Sequence, residues 1–502
     1  MLYKHSRHSI LTLLITSALY GAPAITGAED AITIYSSAQP GSISPSSYRP
    51  VPGRHIGNYN IPGYAVIKST QQYKLSEGLN RVEVNNVAAL IDPTTVSFMS
   101  LTDPEAHVVE QNYQFDLVSQ QKLLQRYLGR NITVEQELGN DTNIIKGKLV
   151  SAMGGLVLED ERGNVYSINS YRNIKFPSLP GGLRTRPTLV WDLKANKGGK
   201  HDIELSYQTE GVTWWSDYNI AYSEEDKCQL DLSAWVSIIN QSGTSYENAK
   251  LKLIAGDVNR AKAPSAIRSS QVMYEKAAMA DSTGFEEKSF FEYHLYTLGR
   301  PATLPDNSTK QLELFPSVNA INCDKELVFD ASNHYGFSGL NTNQNYGQKS
   351  EGDVNVYLRF NNSEDNNMGI PLPAGRIRVN QKDSDGSMEF IGEDIIDHTP
   401  KDEDVLIKVG NSFDIKGERT QTDYRVNTKS RTMSESFEIT LSNHKTENVQ
   451  VVIREKLYRW SQWEIKSNSH EFSKQDARHI HFNVNVPASG ELKVNYTVNY
   501  RW

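Results

Sequence analysis

Along most of this chain apolar and polar residues alternate with a period of two, the pattern of strands that bury one face and wet the other. Val82 and Val84 alternate with Arg81 and Glu83, and Val96, Phe98 and Ser100 repeat the rhythm after the Asp92-Pro93 turn. The last stretch is the most regular: Leu492, Val494, Tyr496, Val498, Tyr500 and Trp502 form one face, and Glu491, Lys493, Asn495, Thr497, Asn499 and Arg501 the other. The same alternation suits the closing strand of a sandwich or the last strand of an outer-membrane barrel. The sandwich is the plainer reading, because Lys250, Lys252, Arg376 and Arg378 would have to face a barrel lumen. A helical period occurs once. Leu123, Leu124, Tyr127 and Leu128 form an apolar stripe between Ser119, a good N-cap, and Gly129, a good C-terminal stop, which predicts one short helix over 119–128.

The fold class that follows is mainly β and multidomain: β-sandwich-like domains, a small barrel-like β domain and that one helix. Turn-rich stretches divide the chain. Residues 29–62 are rich in Ser, Pro and Gly and read as a flexible leader, with Ala31 to Tyr35 its only strand-like piece. An N-terminal β region spans 63–115 and the helix-plus-barrel domain 116–180, closed by the linker Pro177 to Arg186. A first sandwich-like domain spans 187–325, with an insertion at 261–290, and a second spans 353–502. The Asn- and Gly-rich stretch from 333 to 352 between them reads as an exposed loop.

The N-terminus changes the picture of where this architecture works. Lys4, His5, Arg7 and His8 precede the apolar run Ile10 to Leu19, and small residues follow up to Ala28. That is the layout of a secretory signal peptide over 1–28, with cleavage after Ala28, and the run is too short to span a bilayer. No later segment predicts a transmembrane helix, so the expected location is the periplasm or the medium, with association to the outer membrane as a further option. The net charge of −8 and the pI of about 5.9 disfavour nucleic acid as a partner. Cys228 and Cys323 are a disulfide candidate in an oxidising compartment; two separate thiols are the other reading.

Candidate chemistry is sparse. Trp214, Trp215 and Tyr218 read either as an aromatic platform for a sugar or peptide or as core, and alternation sends the two tryptophans to opposite faces. His479 and His481 share a strand face; a hydrated surface is the plainer reading and a metal site the other. Asp383-Ser384-Asp385-Gly386 has half the spacing of a calcium loop and suits a hairpin turn better. There is no Gly-x-Ser-x-Gly elbow and no phosphate-binding Gly-Lys-Ser/Thr loop, so no catalytic residue, metal ligand or cofactor is assigned.

Several ordered stretches carry a resemblance. They include Gly211-Val212-Thr213-Trp214-Trp215-Ser216-Asp217-Tyr218, Tyr293-His294-Leu295-Tyr296-Thr297-Leu298, Pro371-Leu372-Pro373-Ala374-Gly375-Arg376, and Val409-Gly410-Asn411-Ser412-Phe413-Asp414. From about residue 190 to 502 the chain resembles bacterial exported proteins with domain of unknown function 4139, the mucoidy-inhibitor-like group. Trp215 departs from the polar or charged residue common there. The resemblance implies a β-rich exported protein and supplies no catalytic residue. The expectation is an envelope protein acting by binding a polysaccharide, a peptide or another protein. A hydrolase of an envelope polymer and an outer-membrane barrel are the alternatives.

Overall fold

The computed structural model describes residues 29–35, 43, 61–138, 141–223, 227–256, 258, 285–291, 293–332, 335–336 and 338–502. The chain is mainly β, as the alternation predicts; its described residues form five sheets and one α-helix. The signal-peptide reading of 1–28 lies outside the described residues, as does most of the expected insertion. The last part of that insertion, Phe285–Phe290, is a strand paired with Tyr293–Leu298.

The sheets do not follow the linear order of the chain. Glu29–Tyr35, read from sequence as leader, is an internal strand of an eight-stranded sheet. It lies antiparallel to Tyr64–Leu75 and parallel to Tyr246–Ala255, with Ile32 and Ile34 in the core. Ile43 and Ile61 are also buried, packed with Ile239 against Trp215. The leader reading therefore fails where its apolar residues find partners distant in sequence.

A five-stranded sheet in the order Ser308–Asn322, Gln229–Asn240, Val212–Ser223, Gly375–Lys382 and Met388–Ile396 shares a core with the eight-stranded sheet and with a three-stranded one. Gly375–Lys382 and Met388–Ile396 thus join strands from the first expected sandwich, through a parallel pairing of Ser216 to Tyr222 with Gly375 to Gln381. The rest of the C-terminal region forms a nine-stranded sheet over a second core containing Phe437, Ile453, Phe482 and Val498. Among the described residues none of the sheets closes into a barrel.

The small helical region interrupts a strand pair. His107–Gln114 pairs with Thr188–Ala195, and between them five strands form a sheet around Leu124, Ile132, Val134, Leu149 and Leu158. The sheet stays open, because its end strands Asn173–Lys175 and Val165–Ile168 do not pair with each other. The helix is Gln120–Arg126, shorter than the predicted stretch; the Ser119 side chain caps it by accepting from the Lys122 N–H at 3.2 Å.

The stretch from 333 to 352 is not merely an exposed loop. The guanidinium of Arg459, fully buried, donates to Glu435 at 2.7 and 2.9 Å and to the carbonyls of Asn343 and Tyr346. Arg419, equally buried, donates to Glu455 at 2.7 Å and to the Gly347 carbonyl at 3.0 Å. Gly347 holds φ at +79°, where a Cβ would run into the Tyr458 hydroxyl. Two buried ion pairs thus hold the backbone of this loop against the nine-stranded sheet.

Candidate functional site

A cleft of about 880 Å³ opens at one end of the eight-stranded sheet. Five separate segments wall it. They are Asp30 at the start of the first strand, Asn85 to Val87, Arg186 and Pro187, the turn and strand start from Gly243 to Asn248, and Asp306. The turn is braced from within: the Gly243 N–H donates to Asp306 at 3.0 Å, and the Asp306 N–H donates to the Ser245 hydroxyl at 2.9 Å.

Asp30 continues the inward face of Ile32 and Ile34, since side chains two apart on a strand point the same way. Its Oδ1 is buried without a hydrogen-bond partner, while the carboxylate bonds the Ser69 side chain. Burial pushes this carboxyl above the ordinary carboxylate range, and the Ser69 bond opposes that only in part. Beneath it lies a buried hydroxyl network. Tyr207 accepts from the Ala88 N–H at 3.2 Å and bonds Tyr246, whose hydroxyl lies 3.2 Å from that of Ser242. Burial raises the pKa of both tyrosines, so they act as neutral hydroxyls. Above the floor the walls offer amides, hydroxyls, two further carboxylates at Glu247 and Asp306, and the exposed guanidinium of Arg186. Such a surface can hydrogen-bond a polar ligand at many points and fix a cation.

The residues singled out from sequence lie elsewhere. Trp214 is buried, its indole N–H donating to the Ile254 carbonyl at 3.3 Å and its ring set edge-on to Tyr296. Tyr218 is buried too and donates to the Pro373 carbonyl at 2.7 Å. Trp215 points to the opposite face, half-buried, and donates to Asp217 at 2.8 Å. Cys228 and Cys323 form a disulfide, with Cα atoms 5.0 Å apart, next to the paired residues Gln229 and Asn322. His479 bonds Asp476 at 2.8 Å, and Asp383 to Ser387 make the turn between two paired strands. Among the described residues no group of three or more His, Cys, Asp or Glu gathers closely enough to hold a metal ion. The cleft is not legible in the sequence, because its walls come from five short segments scattered over nearly 280 positions. Only the Asp30, Ile32, Ile34 alternation carries a signal, and Asp30 lies just before the strand-like piece Ala31 to Tyr35.

The sequence profile of one family, described as Domain of unknown function (DUF4139), matches residues 203–502. The chain belongs to the DUF4139 family. The DUF4139 region includes the whole nine-stranded sheet and the five-stranded one, whereas the cleft draws on both sides of its boundary: Glu247 and Asp306 lie within it, Asp30, Asn86 and Arg186 before it. No curated protein matches this DUF4139 chain.

Proposed function

We propose that this DUF4139 protein is exported to the cell envelope, working in the periplasm or after release, and acts there by binding rather than by catalysis. The observation that carries the reading is the polar cleft, whose amide, hydroxyl and carboxylate lining suits a polar envelope polymer, either a polysaccharide or a peptide. The Cys228–Cys323 bond supports the compartment, since such bonds persist where thiols are oxidised. The signal-peptide pattern of residues 1–28 supports it independently. Calorimetry with soluble envelope polysaccharide and with peptidoglycan peptides tests the reading. Binding of one of them, weakened tenfold or more when Asn86→Trp fills the cleft, is the expected result; no binding of either, with the fold intact, overturns it.

Hydrolysis of an envelope polymer stands as the second reading, favoured by one observation. Asp30 is a carboxyl held toward its protonated form by burial, and Glu247 and Asp306 share its cleft, the residue types of acid-assisted hydrolysis. Turnover of a bound polymer, lost in Asp30→Asn and Glu247→Gln, would favour it over binding alone.

A further inference from the structure

The half-buried Asp30 carboxylate, whose Oδ1 lies out of reach of water, adjoins the point at which processing would cut the chain. We propose that cleavage after Ala28 creates an α-ammonium at Glu29 that Asp30 holds at the floor of the cleft, so that export both neutralises this carboxylate and fastens the first strand into its sheet. The inference rests on the export reading above and adds to it a change in the cleft that processing makes.

Three observations lead there. The first strand runs from Glu29, whose backbone pairs with Thr70, and Asp30 pairs with Ser69, so the sheet fixes the nitrogen of Glu29 one residue from the Asp30 side chain. Asp30 Oδ1 is buried and lacks a partner, so the pocket floor presents an acceptor with no donor. The charge around it favours a cation: Glu247 and Asp306 line the same cleft, against the single exposed guanidinium of Arg186.

The neighbouring strands supply no competing cation on this face. Facing Asp30 are the hydroxyls of Ser69, Tyr207 and Tyr246. Lys68 and Lys250 pair with Ala31, one position along, and therefore point to the other side of the sheet. An ammonium delivered by the chain itself meets the unpaired oxygen without the entropy loss of a separate ligand. It also leaves the amides and hydroxyls of the upper walls for the ligand proposed above.

The test is titration of the α-amine by NMR, on the chain beginning at Glu29 and carrying a ¹³C-methyl label on that nitrogen. The expected pKa lies about one unit or more above the ordinary ~7.7–8.0 for an α-amine, and Asp30→Asn returns most of the shift. A chain that keeps Ala28 moves the ammonium one residue outward with Asp30 intact, and its amine is expected to titrate in the ordinary range. This second comparison decides the matter should Asp30→Asn not fold. An ordinary pKa in the Glu29 chain overturns the inference. N-terminal sequencing of the protein recovered from envelope fractions is expected to begin at Glu29, and any other terminus also overturns it. A raised amine pKa in a chain that binds no envelope polymer would defeat the binding reading while leaving this one standing.

Discussion

A guanidinium removed from water loses several kcal/mol of hydration, which only close ionic and hydrogen-bonded partners offset. Arg459 meets that demand with Glu435 and with loop carbonyls on the far side of its planar fork. Replacing Arg459 by Met leaves Glu435 buried with its main partner gone and frees the loop backbone it held. The expected loss is ~3–5 kcal/mol, read from urea denaturation; a midpoint within error of the parent would show that the pair holds nothing. Asp160 makes the opposite use of hydrogen bonds, at the surface. The Asn164 side chain and then its backbone N–H donate to this carboxylate, with the Arg162 N–H and the Tyr166 hydroxyl adding to them, and together they pull its pKa down to about 2. Because the folded value lies below the unfolded value of about 3.9, the turn from Asp160 to Asn164 is stabilised above that pH. The stabilisation is lost as the pH falls through about 2. Carboxyl NMR should place the Asp160 midpoint near that value, and a midpoint at the ordinary position would refute the account.

At the scale of elements, the disulfide joins the ends of two neighbouring strands, Gln229–Asn240 and Ser308–Asn322, across a separation of 95 residues. Closing a loop of that length in the unfolded chain is worth up to ~4–5 kcal/mol in the chain-entropy account. The double substitution of Cys228 and Cys323 by Ser should therefore lower the thermal midpoint by several degrees, whereas an unchanged midpoint would place the restraint in the strand pairing alone. How much of this level was legible depends on how local its physics is. The capped helix, the Asp383–Gly386 hairpin and the final alternating strand all follow from spacing within a dozen residues, and each is present. The parallel partner of the Glu29–Tyr35 strand lies some 220 residues away at Lys250 to Ile254, and no local period announces a pairing of that span. Arg419, in a strand, and Arg459, in a bend just past one, are equally silent, because a buried arginine has the same one-letter pattern as an exposed one. The cleft inherits that difficulty five times over, once for each segment that walls it.

For the whole molecule the question is which parts must unfold together. Lys349–Asn361 and Asp404–Asn427 are long paired strands that serve two cores at once. Leu358, Phe360, Val405 and Ile407 lie in the larger one, while Val354 and Ile415 lie in the C-terminal one. Opening either core strips apolar partners from strands that also complete the other, so the two should melt as one cooperative unit. The helix-bearing sheet has no such tie. Its core of Leu124, Ile132, Val134, Leu149, Leu158 and their neighbours is closed on itself. It meets the rest where the chain enters and leaves, at backbone bonds between Asp116, Val118 and Arg184 and the exposed pairing of Arg184 with Glu83. Few apolar contacts oppose its separate opening, and the entry and exit strands pair with each other whether or not it is folded. Native-state hydrogen exchange in urea should find the amides of Asn131–Leu138 and Leu156–Glu159 exchanging through a low-energy opening. Those of Asp404–Asn427 should exchange only with global unfolding along their whole length. Replacing residues 118–183 by a short Gly-Ser connection should likewise leave the remaining sheets and their melting transition in place. If the two ends of Asp404–Asn427 exchanged with different free energies, the shared strands would not couple the cores. The molecule would then be two bodies in series, and the cleft, which draws its walls from only one of them, would respond to nothing that happens in the other.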